Sequence, residues 1–177
     1  MKVQFKAISN EFVPTKANSS DIGYDFKAHS IYRPDLKIDT TEWEETRINP
    51  NTSKIFGTGF NVTLPEMVEI PVPTSAKSKE EVEPIKLIPC SQIQSRSGLG
   101  FKTSVVAFNG QIDNTYNKEI LVKLTNESAH VRTIKKGEKI GQLRIDFIPF
   151  TEAEAIIVKS LEELQEGSRG GFGSTGK

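Results

Sequence analysis

An aspartate and a tyrosine in a short polar stretch are the first side chains of this sequence that could do chemistry. They lie in the segment 110–120, Gly-Gln-Ile-Asp-Asn-Thr-Tyr-Asn-Lys-Glu-Ile, which has the pattern of a hairpin. Asp113 could serve as a general base, and the flat ring of Tyr116 could pack against a sugar. An ordinary β-turn uses the same residue types. The segment alone leaves both interpretations open.

A second segment combines groups that bind anions. Residues 95–100 read Ser-Arg-Ser-Gly-Leu-Gly and bring together the guanidinium of Arg96, the hydroxyl of Ser97 and flexible backbone at Gly98. If a short helix begins after Ser97, its free amides would face an anion. A turn with a surface arginine is the simpler alternative for this segment taken alone.

Two further segments give weaker signals. Residues 136–143, Lys-Gly-Glu-Lys-Ile-Gly-Gln-Leu, predict a turn and then a strand that carries the amide of Gln142. Residues 20–26, Ser-Asp-Ile-Gly-Tyr-Asp-Phe, predict a short strand that carries Asp25. Neither segment indicates a function by itself.

The segment 168–177, Ser-Arg-Gly-Gly-Phe-Gly-Ser-Thr-Gly-Lys, is unlike the rest of the chain. It has one aromatic and no aliphatic residue, so we expect it to be disordered when it is alone. Its arginine, hydroxyls and amides suit it to wrapping a phosphate ligand. The spacing from Gly171 to Lys177 imitates a P-loop, but it lacks the Ser or Thr and the helix that a P-loop requires next.

Alternating apolar and polar residues predict the strands that would position these groups. The patterns occur at 3–7, 55–64, 69–72, 85–94, 120–124 and 140–148. Polar turn residues separate them, for example at 125–127 and 135–138. Many short strands with polar turns predict an all-β sandwich or barrel.

The length of 177 residues suits one domain. We expect a β body over 1–167 and a separate glycine-rich segment over 168–177. Within the body, the polar stretches 35–50 and 74–84 are predicted to be loop insertions, the second of them charged and bounded by prolines.

Composition argues against several classes of function. Lys plus Arg and Asp plus Glu both number 23, so a nucleic-acid partner is not expected. The single cysteine, Cys90, cannot form an internal disulfide and is expected to be a small, partly buried strand residue. His29 and His130 have no nearby ligand partner and are expected to be structural. No apolar run predicts a membrane helix or signal peptide, so the cytoplasm is the expected compartment, or the host cytoplasm or nucleus for a viral source.

Taken in order, the five segments resemble the five motifs of the homotrimeric dUTPase (deoxyuridine 5'-triphosphate nucleotidohydrolase) family. Those motifs run approximately A-G-Y-D-L, R-S-G-L-A, G-x-I-D-x-x-Y-x-G-E, K-G-x-x-I-A-Q-L and R-G-x-G-G-F-G-S-T-G. The resemblance extends from residue 20 to residue 176. Its most specific parts are Ile-Asp-x-x-Tyr and Gly-Gly-Phe-Gly-Ser-Thr-Gly.

The resemblance implies a jelly-roll-like β barrel of the β-clip type. Three copies would form a homotrimer in which all three subunits build each active site, and a flexible C-terminal arm would close it. The implied reaction is hydrolysis of dUTP to dUMP and pyrophosphate by attack of water on the α-phosphate. Mg²⁺ would be held by the triphosphate and water, without a direct protein ligand. The reaction would limit uracil in DNA and supply dUMP for dTMP synthesis.

The resemblance also assigns roles to individual residues. Asp113 would be catalytic, because it would orient and deprotonate the attacking water and also reach the sugar 3'-hydroxyl. Tyr116 would pack on the deoxyribose and exclude a 2'-hydroxyl, and Asp25 would support the water shell of the metal.

The remaining implied roles concern binding of the base and the phosphates. The uracil edge would be read by the backbone near Gly110, Gln111 and Ile112. Phosphate oxygens would be held by Arg96, Ser97, Gly98 and Gln142. The C-terminal lid would stack Phe172 on uracil and close over the γ-phosphate with Arg169, Gly173, Ser174 and Thr175.

The chain departs from the family pattern at a few positions. Lys118 replaces a turn glycine, so any positive φ is expected to shift to Asn117. Arg169 lies two residues closer to the phenylalanine of the tail than in the longer pattern, which leaves its role open. Gly100 and Gly141 replace alanines, and we expect both replacements to be neutral.

Two alternatives share this fold. A dCTP deaminase carries its catalytic glutamate in a strand reading I-T-L-E-L, where this chain has Lys123, so deamination is disfavoured. A non-catalytic or dual-role nucleotide-binding regulator is the other alternative. Asp113, Arg96 and Gln142 are all present, which favours catalysis.

Overall fold

The computed structural model describes residues 3–35, 38–71 and 84–151. In that part of the chain it contains strands β1 to β14, one α-helix (α1, Ser97–Thr103) and a short 3-10 helix at Asn10–Phe12. The strands are β1 Gln4–Ala7, β2 Gly23–Lys27, β3 Ser30–Arg33, β4 Ile38–Thr40, β5 Glu45–Ile48, β6 Ser53–Gly57, β7 Phe60–Thr63, β8 Val68–Ile70, β9 Ile85–Gln94, β10 Val105–Ala107, β11 Gln111–Ile112, β12 Leu121–Asn126, β13 Arg132–Lys135 and β14 Lys139–Pro149. The predicted all-β class is confirmed.

Two five-stranded antiparallel sheets make up most of the described structure. One has the order β10-β12-β6-β3-β4. The other has the order β11-β9-β14-β2, with β8 also paired to β9. Two smaller pairs, β1 with β7 and β5 with β13, complete the strand pairing.

Both sheets contribute to one hydrophobic core. Phe26, Ile93 and Leu143 enter it from the sheet of β9 and β14, and Phe56 and Leu124 from the other sheet. The alternation follows from the strand period of two: in β12 the buried Leu124 is preceded by the exposed Lys123. Burial of these side chains supplies the main driving force for folding.

Three predictions about individual segments are corrected by the strands. The stretch 35–50, predicted as an irregular loop, contains β4 and β5, and its Ile48 is fully buried. The run 55–64 is not one strand, because the chain turns at Gly59 (φ 72°) between β6 and β7. The segment 110–120 is not a simple hairpin: its arms are β10 and β12, while β11 crosses to pair with β9 of the other sheet.

Two further predictions, a helix and a turn, are confirmed, and two predicted segments lie wholly or mostly outside the described residues. The helix after Ser97 is confirmed as α1. The turn at 135–138 is confirmed, since the Glu138 amide donates to the Lys135 carbonyl and Gly137 has a positive φ of 78°. Residues 74–83 of the second predicted insertion, and the whole of 168–177, lie outside the described residues.

Candidate active site

A buried carboxylate gathers three donors from distant parts of the sequence. Asp25 in β2 is 8% exposed. Its Oδ1 accepts hydrogen bonds from Arg96 Nε and from Gln142 Nε2, each at 3.0 Å. Its Oδ2 accepts one from Lys139 Nζ at 2.9 Å. We call Asp25, Arg96, Lys139 and Gln142 the Asp25 cluster.

Strand register explains why the Asp25 cluster forms. Gln142 of β14 pairs with Asp25 on one side and with Gln94 of β9 on the other. Arg96 follows the end of β9, so it emerges next to this row. A register shift between Lys139 and Gly141 bends the start of β14 and accompanies the placement of Lys139 beside Asp25.

The Asp25 cluster keeps its carboxylate ionised. Burial alone would raise the pKa of Asp25, but hydrogen bonds from Lys139 and Gln142 and the charges of Arg96 and Lys139 outweigh it and lower that pKa below its ordinary value. The cluster therefore holds two cations and an amide in fixed positions around one negative charge.

Helix α1 begins directly beside the cluster. Arg96 is its N-cap residue and makes no side-chain cap, and the Leu99 and Gly100 amides donate to its carbonyl. Ser97 and Gly98 are exposed, and a Cβ added at Gly98 would meet nothing within 4 Å. The amides of Ser97 and Gly98, the first two residues of the helix, have no carbonyl partner within it and are open to an anion.

Asp113 and Tyr116 line a different site. Together with the backbone of β11 they border a cavity of about 320 Å³ whose apolar walls include Ile93, Phe108 and Ile120. Gly110, Gln111 and Ile112 line the same cavity. The structure therefore brings together the residues of the third motif as one concave site, which we call the Asp113 cavity.

The loop that carries Asp113 is fixed at several points. The Tyr116 amide donates to the Asp113 carbonyl at 3.1 Å, and the Tyr116 hydroxyl donates to the Glu119 carbonyl at 3.0 Å. Asn114 Nδ2 donates to the Glu66 carbonyl at 2.8 Å. These bonds tie the acid and the aromatic ring to one rigid turn.

Glu119 anchors the far end of this loop, and sequence reasoning gave it no role. Its Oε1 accepts the Gly59 amide at 2.6 Å, across to the turn between β6 and β7. The family pattern Y-x-G-E contains this glutamate, so the resemblance could have pointed to Glu119. Lys139 was also missed, because it occupies a position that the fourth pattern leaves open.

The expected backbone strain at the loop tip is absent. Among the described non-glycine residues, positive φ occurs at Asn51 and Ser104. Asn117 and Lys118 do not adopt it, so the predicted shift of a positive φ to Asn117 is wrong. Lys118 fits without a glycine because the backbone at this position has no positive φ.

Gly141 is not the neutral replacement that the sequence suggested. A Cβ at this position would lie 2.3 Å from Cζ of Phe26, well inside contact distance. The family pattern has Leu where this chain has Phe26 and Ala where it has Gly141. The larger ring thus occupies the space of the missing methyl group.

Within one chain the Asp25 cluster and the Asp113 cavity do not meet. Both border β9, where Gln94 pairs with Gln142 and Ser91 pairs with Ile112. The three-residue separation along β9 spans roughly 10 Å at about 3.3 Å per residue. The residues of the Asp25 cluster are not among those that line the Asp113 cavity.

The remaining candidate residues are accounted for as follows. Arg169, Phe172, Gly173, Ser174 and Thr175 lie outside the described residues. Cys90 is buried in β9, as predicted; burial raises the pKa of its thiol, and the nearby carboxylates of Asp146 and Asp113 add to that rise.

The histidines and metal sites can be assessed over the described ranges. His130 is exposed, and His29 packs edge-on against Phe12. No group of three or more His, Cys, Asp or Glu side chains there could hold a metal ion. None of the helices in the described part is long and apolar enough to cross a membrane.

Known proteins resemble this chain in sequence and in fold. A family model described as dUTPase matches residues 49–176. The deoxyuridine 5'-triphosphate nucleotidohydrolase of Nautilia profundicola is 33% identical over 180 residues and covers 100% of both chains. The Saccharomyces cerevisiae protein of the same name is 30% identical over 176 residues, covering 99% of this chain and 94% of the relative.

Two solved structures extend the comparison to the fold. The Staphylococcus bacteriophage 80alpha dUTPase with dUpNHpp has a TM-score of 0.65 at 22% identity, over 99% of each chain. A mutant dUTPase from phage phi11 of S. aureus, described with a structural Mg(II) ion, has a TM-score of 0.61 at 18% identity, over 92% of this chain and 99% of that one. The predicted jelly-roll-like fold is confirmed. From the family match and its full-length relatives, this chain belongs to the dUTPase family.

Proposed function

We propose that this dUTPase-family enzyme hydrolyses dUTP to dUMP and pyrophosphate by attack of water on the α-phosphate. The observation that carries the proposal is the Asp113 cavity, where an exposed carboxylate and an aromatic ring border the open backbone of a short strand. These three features correspond to a general base, a flat surface for the sugar and a hydrogen-bonding edge for the nucleobase. A site that hydrolyses a deoxynucleotide requires all three.

Asp113 acts as the general base in this proposal. Its side chain is exposed at the cavity, so a water can reach it, and it can also accept the sugar 3'-hydroxyl. Tyr116 is held by Glu119, so its ring forms a fixed surface for the deoxyribose and leaves no room for a 2'-hydroxyl. The backbone of β11 and Gly110 reads the uracil edge, because a base with the wrong donors would leave buried polar groups unpaired.

The phosphates are bound by the second group of residues. Arg96 and Gln142 are pre-oriented by Asp25, and Ser97 and Gly98 add a hydroxyl and amides at the start of α1. Positioning and charge neutralisation are most of what phosphoryl transfer requires from a protein. Since the Asp25 cluster and the Asp113 cavity are separate within one chain, we propose a homotrimer in which neighbouring subunits bring them together.

Asp25 also fits the proposed support of Mg²⁺. A carboxylate offers about four acceptor positions, and the cluster uses three of them, which leaves one for a metal-bound water. Mg²⁺ keeps several waters and binds mainly to substrate phosphates, so it does not require a site built from several protein ligands. Bound in this way, the ion would neutralise charge on the triphosphate.

The tail 168–177 serves as the lid of the proposed site. Phe172 stacks on uracil, and Arg169, Gly173, Ser174 and Thr175 close over the γ-phosphate. A lid that closes over bound substrate excludes water from the reaction. The reaction would keep uracil out of DNA and provide dUMP for dTMP synthesis.

The proposal is tested by measuring pyrophosphate release from dUTP, dTTP, dCTP and UTP with Mg²⁺. We expect turnover of dUTP alone. Asp113→Asn should bind dUTP with near-normal affinity but turn it over roughly 100-fold more slowly, as expected for loss of a general base. Near-normal turnover by Asp113→Asn would refute the role of Asp113. Tight dUTP binding without any pyrophosphate release by the wild type would instead support a regulator.

A further inference from the structure

A basic cavity lies on the sheet of β3, β6 and β12 and has no assigned role. It has a volume of about 500 Å³ and shares no lining residue with the Asp113 cavity. Three cations line it, Arg33, Lys54 and Lys123, against one carboxylate, Asp35. We call this the β3-β6 cavity.

Strand register brings Arg33 and Lys54 together at the β3-β6 cavity. Tyr32 and Lys123 both pair with Ile55, so these three side chains share one face of the sheet. Continuing the β3-β6 register by one residue places Arg33 opposite Lys54 on the other face, and the Arg33 charge acts on Lys54. Like charges directly opposite each other on neighbouring strands are destabilising, so this arrangement needs a reason.

Ion pairs among the described residues do not account for this arrangement. Over the described ranges, none of the ion pairs involves Arg33, Lys54 or Lys123. Lys54 is half-buried, and its ammonium donates to the hydroxyl of Thr46 instead of to a carboxylate. Burial and the neighbouring Arg33 guanidinium together lower the pKa of Lys54.

We propose that the β3-β6 cavity binds a phosphate-bearing anion of at least two negative charges, either inorganic pyrophosphate or the phosphates of a nucleotide. The volume lies within the range of small-ligand sites, roughly 300–1,000 Å³. Arg33 suits a phosphate because a guanidinium donates two parallel hydrogen bonds, and Lys54 adds a point charge beside it. Ile31, two residues from Arg33 and on the same face of β3, lines the cavity and offers an apolar contact to the rest of a ligand.

Calorimetry and hydrogen–deuterium exchange of the full chain test this site. Pyrophosphate should slow exchange in peptides that cover 30–35 and 53–55. Lys54→Gln and Arg33→Gln should each weaken the binding responsible for this protection by about tenfold, the loss expected for one charged hydrogen bond. Lys54→Arg should retain it.

Three controls separate this site from others. Arg96→Gln should leave protection of 30–35 and 53–55 intact, which distinguishes it from phosphate binding at the Asp25 cluster. Lys86→Gln removes an exposed charge elsewhere on a strand and should change nothing. Without anion, Lys54→Gln should unfold at an equal or higher temperature than the wild type, because it removes a repulsion.

Titration with dTTP and dUMP identifies the source of the phosphate. Tighter protection by dTTP would indicate a nucleotide, and tighter protection by pyrophosphate an inorganic ligand; both outcomes support the site. Protection that is equal in Lys54→Gln and wild type, or that sodium chloride of matched ionic strength reproduces, would overturn it.

Discussion

Asp25 shows how one residue both stabilises the fold and prepares the site. Its pKa is lowered in the folded protein from an ordinary value of 3.8, mainly because donated hydrogen bonds and two cations outweigh the effect of burial. A carboxylate with a depressed pKa stabilises the folded state above its unfolded pKa. That contribution is lost as the pH falls through the lower, folded pKa.

Asp25→Asn should therefore destabilise the protein by about 1–3 kcal/mol at pH 7, where Arg96 and Lys139 lose their charged partner. Both cations are about a third exposed, so water limits the cost. The difference from wild type should begin to shrink below the unfolded pKa of 3.8 and should vanish once the pH falls below the lower, folded pKa of Asp25. Urea unfolding at pH 7 and at the lowest pH at which the protein is still folded, at one protein concentration, measures it. A difference of equal size at both pH values would contradict the ionised role.

Phe26 and Gly141 form a second residue-scale feature, a matched pair of departures from the family pattern. Gly141→Ala should destabilise this protein by about 1–3 kcal/mol, because the added methyl group collides with a buried ring. Phe26→Leu in the same chain should restore much of that loss. Thermal unfolding of both single variants and the double variant gives the coupling energy. If the free-energy changes of the two single variants simply add in the double variant, Phe26 and Gly141 are not a coupled pair.

At the scale of elements, the loop after β11 depends on its anchor to the turn between β6 and β7. Glu119→Ala removes the acceptor of the Gly59 amide and should loosen the loop that holds Tyr116. We expect dUTP to bind about tenfold more weakly or worse, as for loss of one hydrogen bond to a charged group. Glu119→Gln keeps an acceptor oxygen and should remain close to wild type. An equal loss of dUTP affinity in both variants would mean that the negative charge of Glu119 matters, and not its hydrogen bond to the Gly59 amide.

Elements were predictable where one face of a strand is buried. The alternation in β9, β12 and β14 follows directly from burial on one side, and each was predicted near its true position. The polar strand β5 was missed, because it pairs with β13 and buries only Ile48 fully. The local pattern also could not show that β11 pairs with β9 of the other sheet, since pairing partners are set by the whole fold.

The candidate site was predictable by residue but not by arrangement. Motif order identified Asp113, Arg96 and Gln142, yet only register shows that Asp25 holds the last two together. Lys139 lies in the cluster where the register of β14 shifts, and the alternation of apolar and polar residues does not predict such a shift.

At the scale of the whole molecule, the residues of the proposed site form two groups, roughly 10 Å apart along β9 at about 3.3 Å per residue. In the proposed function, the Asp113 cavity supplies a general base and a nucleoside pocket, and the Asp25 cluster supplies cations and amides for phosphates. The residues of the Asp25 cluster do not line the Asp113 cavity, and we propose that one substrate uses the two groups from different copies. This geometry is the basis on which we propose an oligomer with shared sites.

Mixing two inactive variants tests that proposal. Asp113→Asn and Arg96→Gln should each be nearly inactive as pure proteins. If the two half-sites come from different subunits, trimers that contain both variants should have an intact pair in about one of their three sites, because a ring of two chains of one kind and one of the other has a single neighbouring pair in the required order. Co-expression with two affinity tags yields the mixed trimers, and pyrophosphate release measures them. The two pure variants mixed without subunit exchange are the control. If mixed trimers were as inactive as the pure variants, each site would have to be built from a single chain, and one substrate would have to span both groups along β9 of that chain.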